Sequence, residues 1–170
     1  HYFMNDEQLN AYKAEHSGKI EAARAMGAST GQIVRTVLRR LEDAGFAVEP
    51  EGPGAVTFET KGVERLYGGV EAALERALAA VGTAWDPRAG AAVRRFAALA
   101  AAGVARAGQA LIVQAEQEQD FLAPLPLSLL PLPPDRYAEL EGLGVRRLGE
   151  FAGLPGGAVA ERLGPEGRRA

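Results

Sequence analysis

The sequence predicts an α+β fold, in which a small sheet with helices packed on one face is followed by a small all-helical module. Three observations predict it. Apolar residues recur at helical spacing in three separate stretches. Short runs of strand character lie among them, bounded by glycine and proline. Past residue 122 the composition shifts to prolines and leucines, and then to short helical patterns joined by glycine. The chain divides on this reading into an N-terminal arm or vector-derived segment over 1–28, an α+β domain over 29–122, a proline-rich connector over 123–134 and a helical module over 135–170.

Taken in order, residues 5–26 are polar and weakly periodic, and His16-Ser17-Gly18 interrupts any single helix, so helical pieces and a loose arm are both open. From Ser29-Thr30, good capping residues, Ile33, Val34, Val37, Leu38 and Leu41 fall on one helical face. Arg35, Arg39 and Arg40 lie off that face, and Gly45 supplies the stop. Phe46–Val48 and Ala55–Glu59 have strand character on either side of Pro50-Glu51-Gly52-Pro53-Gly54, which reads as the turn of a hairpin. A second helix runs from Val70 through Val81. A third is predicted from about Gly90 through Ala100, and a further strand over Ala110–Val113.

The segment from Ala123 to Pro134 carries too many prolines for a continuous helix. Beyond it, short helices are predicted over Tyr137–Glu141, Arg147–Leu154 and Gly157–Leu163, separated by Gly-Leu-Gly and Leu-Pro-Gly turns.

Composition bounds what such a protein does. With 47% hydrophobic and 24% charged residues the chain has the balance of a folded, globular protein. The absence of cysteine excludes disulfides, thiolate metal sites and cysteine nucleophiles. No apolar run approaches the roughly 18 residues that span a bilayer, so no membrane association and a cytoplasmic location are expected. The net charge of −3 argues against a dominant basic surface, and any contact with nucleic acid must be local.

One local candidate stands out. Gly142-Leu143-Gly144-Val145-Arg146-Arg147, between two short apolar helices, has the glycine-apolar-glycine core of a helix-hairpin-helix. Its glycines permit a tight turn that aims backbone N–H groups outward at the start of the next helix, where a phosphate is favoured; Arg146 and Arg147 add charge. A plain αα-hairpin whose glycines merely turn the chain explains the same residues. Elsewhere, Gly68-Gly69 lacks the lysine and hydroxyl that follow a phosphate-cradling loop, and Ser128 has no histidine partner at a suitable spacing. His1 and His16 are too few for a metal site, and His1 belongs to the vector-like start. Arg94-Arg95 and the arginines at 35, 39 and 40 read as solvated helix faces, with a phosphate role open to them if they share a side with the hairpin.

The order of several segments adds to this. Pro53-Gly54-Ala55-Val56-Thr57-Phe58-Glu59-Thr60-Lys61-Gly62, followed by Glu64-Arg65-Leu66-Tyr67-Gly68-Gly69, resembles the palm strand and loop of Y-family DNA polymerases in their ImuB-like branch. Phe121-Leu122-Ala123-Pro124-Leu125-Pro126 and the run from Leu143 to Pro155 resemble that family's palm-to-thumb connector and thumb hairpin. The likeness runs in order from about residue 31 to the end. An active member needs an acidic residue on an early strand and an Asp-Glu pair before the matching strand, to hold two cations roughly 3.5–4 Å apart. The aligned positions here are Gly54 and Ala55, and Glu59 alone cannot hold two metals.

The resemblance therefore implies a partial palm with a helix-hairpin-helix thumb, with no catalytic residue, metal ligand or cofactor. It implies a DNA-repair adaptor in mutagenic translesion synthesis, of the SOS type, that binds DNA backbone through Gly142, Gly144, Val145, Arg146 and Arg147. An error-prone polymerase and accessory mutasome proteins are the implied partners, and an exposed sheet edge is a route to a homodimer. Two rivals stand beside this reading: a protein-interaction module that recruits the polymerase without touching DNA, and an active enzyme drawing carboxylates from an upstream strand.

Overall fold

Every helix of this chain has to engage its last carbonyls, and two of them do so with one device, a left-handed glycine followed by an apolar residue that folds back. The computed structural model describes residues 30–155 apart from Pro53 and Pro131. The predicted arm at 1–28 and the helix at 157–163 lie outside the described residues. The fold is α+β, and by internal packing the chain forms two units, residues up to 91 with 101–112, and residues 92–100 with those from 113 onward.

In the first unit, α1 (Thr30–Asp43) is the amphipathic helix that the sequence predicts. Gly45, at φ 93°, closes it: the Gly45 amide donates to the Glu42 carbonyl at 2.9 Å and the Phe46 amide to the Leu41 carbonyl at 3.0 Å. Leu41 and Phe46 are thereby brought together in the core with Ala73, Ala77 and Val81. The hairpin follows as β1 (Val48–Gly52) against β2 (Ala55–Phe58), antiparallel, with Val48 opposite Phe58 and an irregularity between Pro50 and Gly52. That irregularity falls where Pro50 lacks an amide to give the ladder. The ring of Phe46 lies 4.7 Å from that of Phe58 and 5.5 Å from that of Tyr67.

Tyr67 ends α2 (Val63–Tyr67), a short helix the periodicity does not announce, and its hydroxyl donates to the Ala44 carbonyl. Gly68 and Gly69 then turn the chain into α3 (Val70–Val81). Arg40 reaches from α1 to the Val81 carbonyl, a cation at the negative end of α3.

The strands divide between two two-stranded sheets. The second pairs β3 (Ala89–Ala91) with β4 (Ala110–Ile112) in parallel, Ala89 opposite Ala110. Parallel strands need a long connection, here supplied in part by α4 (Arg95–Val104), whose residues 95–100 belong to the second unit and 101–104 to the first. This corrects the helix predicted from Gly90. Ala-Gly-Ala carries too little side chain to bias the backbone either way, and pairing with β4 decides it. The helix begins at Arg95 instead, after a loop whose Val93 and Arg94 amides donate to one oxygen of Glu118 at 2.7 and 3.0 Å. Glu118 is only 4% exposed and comes from α5 (Glu118–Leu122), so a distant carboxylate does the work of a local cap.

The core of the second unit is made of Leu127, Leu130, Leu132, Leu140, Val145 and Leu148, with Phe96, Tyr137 and Phe151 packed against it. Three of those five buried leucines, Leu127, Leu130 and Leu132, belong to the proline-rich segment. Pro126, Leu130 and Pro133 take φ from −62° to −70° and ψ from 143° to 150°, the polyproline conformation. A single helical turn over Leu127–Leu129 interrupts it. Backbone polar groups that no helix can engage are met elsewhere: the Tyr137 hydroxyl donates to the Leu130 carbonyl and accepts the Leu132 amide at 3.2 Å.

The segment also runs antiparallel to the start of α7 (Leu148–Ala152). Leu127 donates to the Arg146 carbonyl at 2.8 Å, Leu148 to that of Leu125 at 2.9 Å and Gly149 to that of Ala123 at 3.0 Å. This approach depends on Gly149, where an added Cβ would stand 2.9 Å from the Ala123 Cβ and 3.0 Å from its carbonyl oxygen. Replacing Gly149 by alanine is expected to destabilise the protein by about 1–3 kcal/mol through overpacking. Gly153→Ala, with nothing nearer than 3.5 Å to the new methyl, is expected to shift stability by less than about 0.5 kcal/mol. Urea unfolding of the two variants beside the parent measures both.

Candidate functional site

The predicted hairpin is formed by α6 (Pro134–Gly142) and α7, joined by residues 143–147. Its turn repeats the closure of α1. Gly144, at φ 82°, donates to the Glu141 carbonyl at 2.9 Å, and Val145 donates to the Leu140 carbonyl at 2.9 Å. Leu140 and Val145 are both buried in the same core, so the left-handed glycine folds the chain back onto the helix it leaves.

The five predicted contact residues thus fall in one turn but do different things. Gly142 and Gly144 are exposed, with open space around the position a Cβ would take. Arg146 and Arg147 are exposed. Val145 is only 6% exposed and its amide is engaged within the turn, so it holds the hairpin together and does not face outward.

The amides of the turn also differ from the expected outward-aimed set. Those of Arg146 and Arg147 donate to Oε2 of Glu150 at 2.7 and 3.0 Å, and those of Leu148 and Gly149 donate to the segment Ala123–Leu125. A carboxylate three residues into a helix, reaching back to the capping position, is the acidic half of a capping box. The amides of Arg146 and Arg147 hold the Glu150 carboxyl below the usual carboxylate range against an opposing effect of desolvation, and the charges of Arg147 and Arg146 add to the lowering. What the turn offers a ligand is therefore side chain: two guanidinium groups and, between the glycines, the exposed Leu143. Neither Glu150 nor Leu143 is singled out by the sequence reading. The spacing Arg147-Leu148-Gly149-Glu150 signals the first, and an apolar residue between two glycines signals the second.

Two of the other arginines have local contacts. Arg40 binds the Val81 carbonyl, and Arg94 lies 3.8 Å from Glu118. Gly54, at φ 81°, stands in the hairpin turn of the first unit and Ala55 opens β2; Glu59, just past β2, is exposed. Among the described residues no three acidic or histidine side chains gather as a metal-ligand set, and no helix is long and apolar enough to cross a membrane. Comparison with protein-family models, curated proteins and solved structures finds no match to this chain.

The depressed pKa of Glu150 fixes the sign of one pH effect. Its ionised form is favoured by folding, so the stabilisation is present above its ordinary pKa of 4.5 and is lost as pH falls through the lower folded value. Glu150→Gln is accordingly expected to melt below the parent at pH 7. The gap should narrow as the pH is lowered past 4.5 and through the depressed folded value, as followed by circular dichroism.

Proposed function

We propose that this chain is a non-catalytic DNA-binding adaptor of the ImuB-like branch of Y-family polymerase-like proteins, acting in translesion synthesis in the cytoplasm. The observation that carries the reading is the turn between α6 and α7, which a left-handed Gly144 closes and on which Arg146 and Arg147 are both exposed. Guanidinium groups on a narrow, glycine-flanked turn suit phosphate oxygens, which carry no sequence information, so binding is to the backbone without sequence preference. Contact runs through the two side chains, because the turn's amides are engaged within the protein. Gly54 and Ala55 stand where the resemblance aligns the acidic pair of an active polymerase, which supports an adaptor in place of an enzyme.

The engaged amides also favour a second reading, in which the module recruits an error-prone polymerase through protein contacts and leaves DNA alone.

Fluorescence anisotropy of a labelled primer-template, at low and moderate salt, separates the two. The adaptor reading expects salt-dependent binding with a log–log slope of about −2 for two neutralised phosphates. It expects a loss of tenfold or more in the double Arg146→Glu, Arg147→Glu variant. Absence of binding by the parent at low salt would overturn it and leave the recruitment reading. In a primer-extension assay with magnesium or manganese, no nucleotide incorporation is expected; incorporation above that of a heat-inactivated control would restore an enzymatic role.

A further inference from the structure

Apolar residues around the hairpin turn are otherwise committed to the core. Leu140 and Val145, on either side of the glycine closure, are buried, and Leu148 opens α7 facing the same cluster. Leu143 is the exception at 53% exposure, and it sits at the tip between Gly142 and Gly144. Since both glycines have open space around them, the backbone on each side of Leu143 is as slender as a polypeptide allows. A surface can approach this tip closely. The tip is flanked by Glu141 and by the Glu150 carboxylate, which the turn's own amides hold, so what it offers a partner beside Leu143 is the pair of exposed guanidinium groups of Arg146 and Arg147, which suit an anionic surface.

We propose that Leu143 is the apolar contact of the hairpin with nucleic acid, packing against deoxyribose at the groove edge while Arg146 and Arg147 take phosphates. Deoxyribose is the one apolar surface that lies within reach of every backbone phosphate, whatever the base, so a leucine beside two guanidinium groups serves binding that is blind to sequence. The inference rests on the DNA-binding reading above and names the part of DNA that the tip meets. An apolar contact and a phosphate contact leave different signatures, because only the second releases counterions.

The test is the same anisotropy titration on the full chain, with Leu143→Ala and Leu143→Met beside the parent and the double arginine variant. Leu143→Ala should weaken binding about three- to tenfold with an unchanged salt slope, and Leu143→Met, which keeps the apolar bulk, should bind like the parent. Both variants should keep the parent's thermal midpoint, since the side chain lies outside the core. If Leu143→Ala binds as the parent does while the arginine variant loses binding, the role of Leu143 is overturned and the adaptor reading stands. A flattened salt slope in Leu143→Ala also overturns it, because the arginines would then have been disturbed. If the parent itself does not bind at low salt, both readings fall.

Discussion

The hairpin turn depends on a helix ending through a residue that only glycine takes without strain. At Gly144 the left-handed backbone brings Val145 back onto Leu140, and this contact joins the core on which α6 and α7 are both packed. Gly45 does the same for Leu41 and Phe46, and around that pair gather the hairpin strand β2, Tyr67 and α3. In each case a local backbone conformation sets a tertiary contact. Arg146 and Arg147 follow the buried Val145 directly and are exposed.

Glycine also acts by what it lacks. At Gly149 the absence of a side chain lets the segment Ala123–Leu127 run against the start of α7 at hydrogen-bonding distance. Prolines in that segment have no amide to give, and their fixed φ holds the chain extended, so the leucines between them are delivered to the core in a conformation the unfolded chain already favours. The leucine-proline run is thus structural on one side and, through the Arg146 carbonyl that Leu127 binds, a support of the turn on the other.

Where the sequence was legible, the reason was a long amphipathic pattern or a glycine with a steric task. The spacing of Ile33, Val34, Val37, Leu38 and Leu41, the apolar stripe of α3 and the stop at Gly45 gave helices close to those found. The turn at 142–147 was readable as a turn for the same reason. Illegible features were those decided at a distance. Ala89-Gly90-Ala91 is a strand because Ala110–Ile112 pairs with it, and α4 starts where Glu118 accepts two amides. The direction in which Val145 and the turn's amides face depends on Leu140, Glu150 and Ala123, which the motif does not contain. Yet a sign of the shared closure is present: Leu41-Glu42-Asp43-Ala44-Gly45-Phe46 and Leu140-Glu141-Gly142-Leu143-Gly144-Val145 carry leucine, glutamate, glycine and an apolar residue at matching offsets.

The bond between Glu118 and the amides of Val93 and Arg94 links two stretches of one unit that are separated, along the chain, by residues 101–112 of the other. A ribosome therefore releases Phe96 and the start of α4 well before the leucines and the carboxylate that they require. Until Glu118 has been added, those amides have only water to bind, and the second unit cannot be completed. Dissection of the protein inherits the same order. A fragment cut at residue 113 retains the hairpin turn but leaves a buried carboxylate without its donors, so the gene offers no single cut that separates the two units.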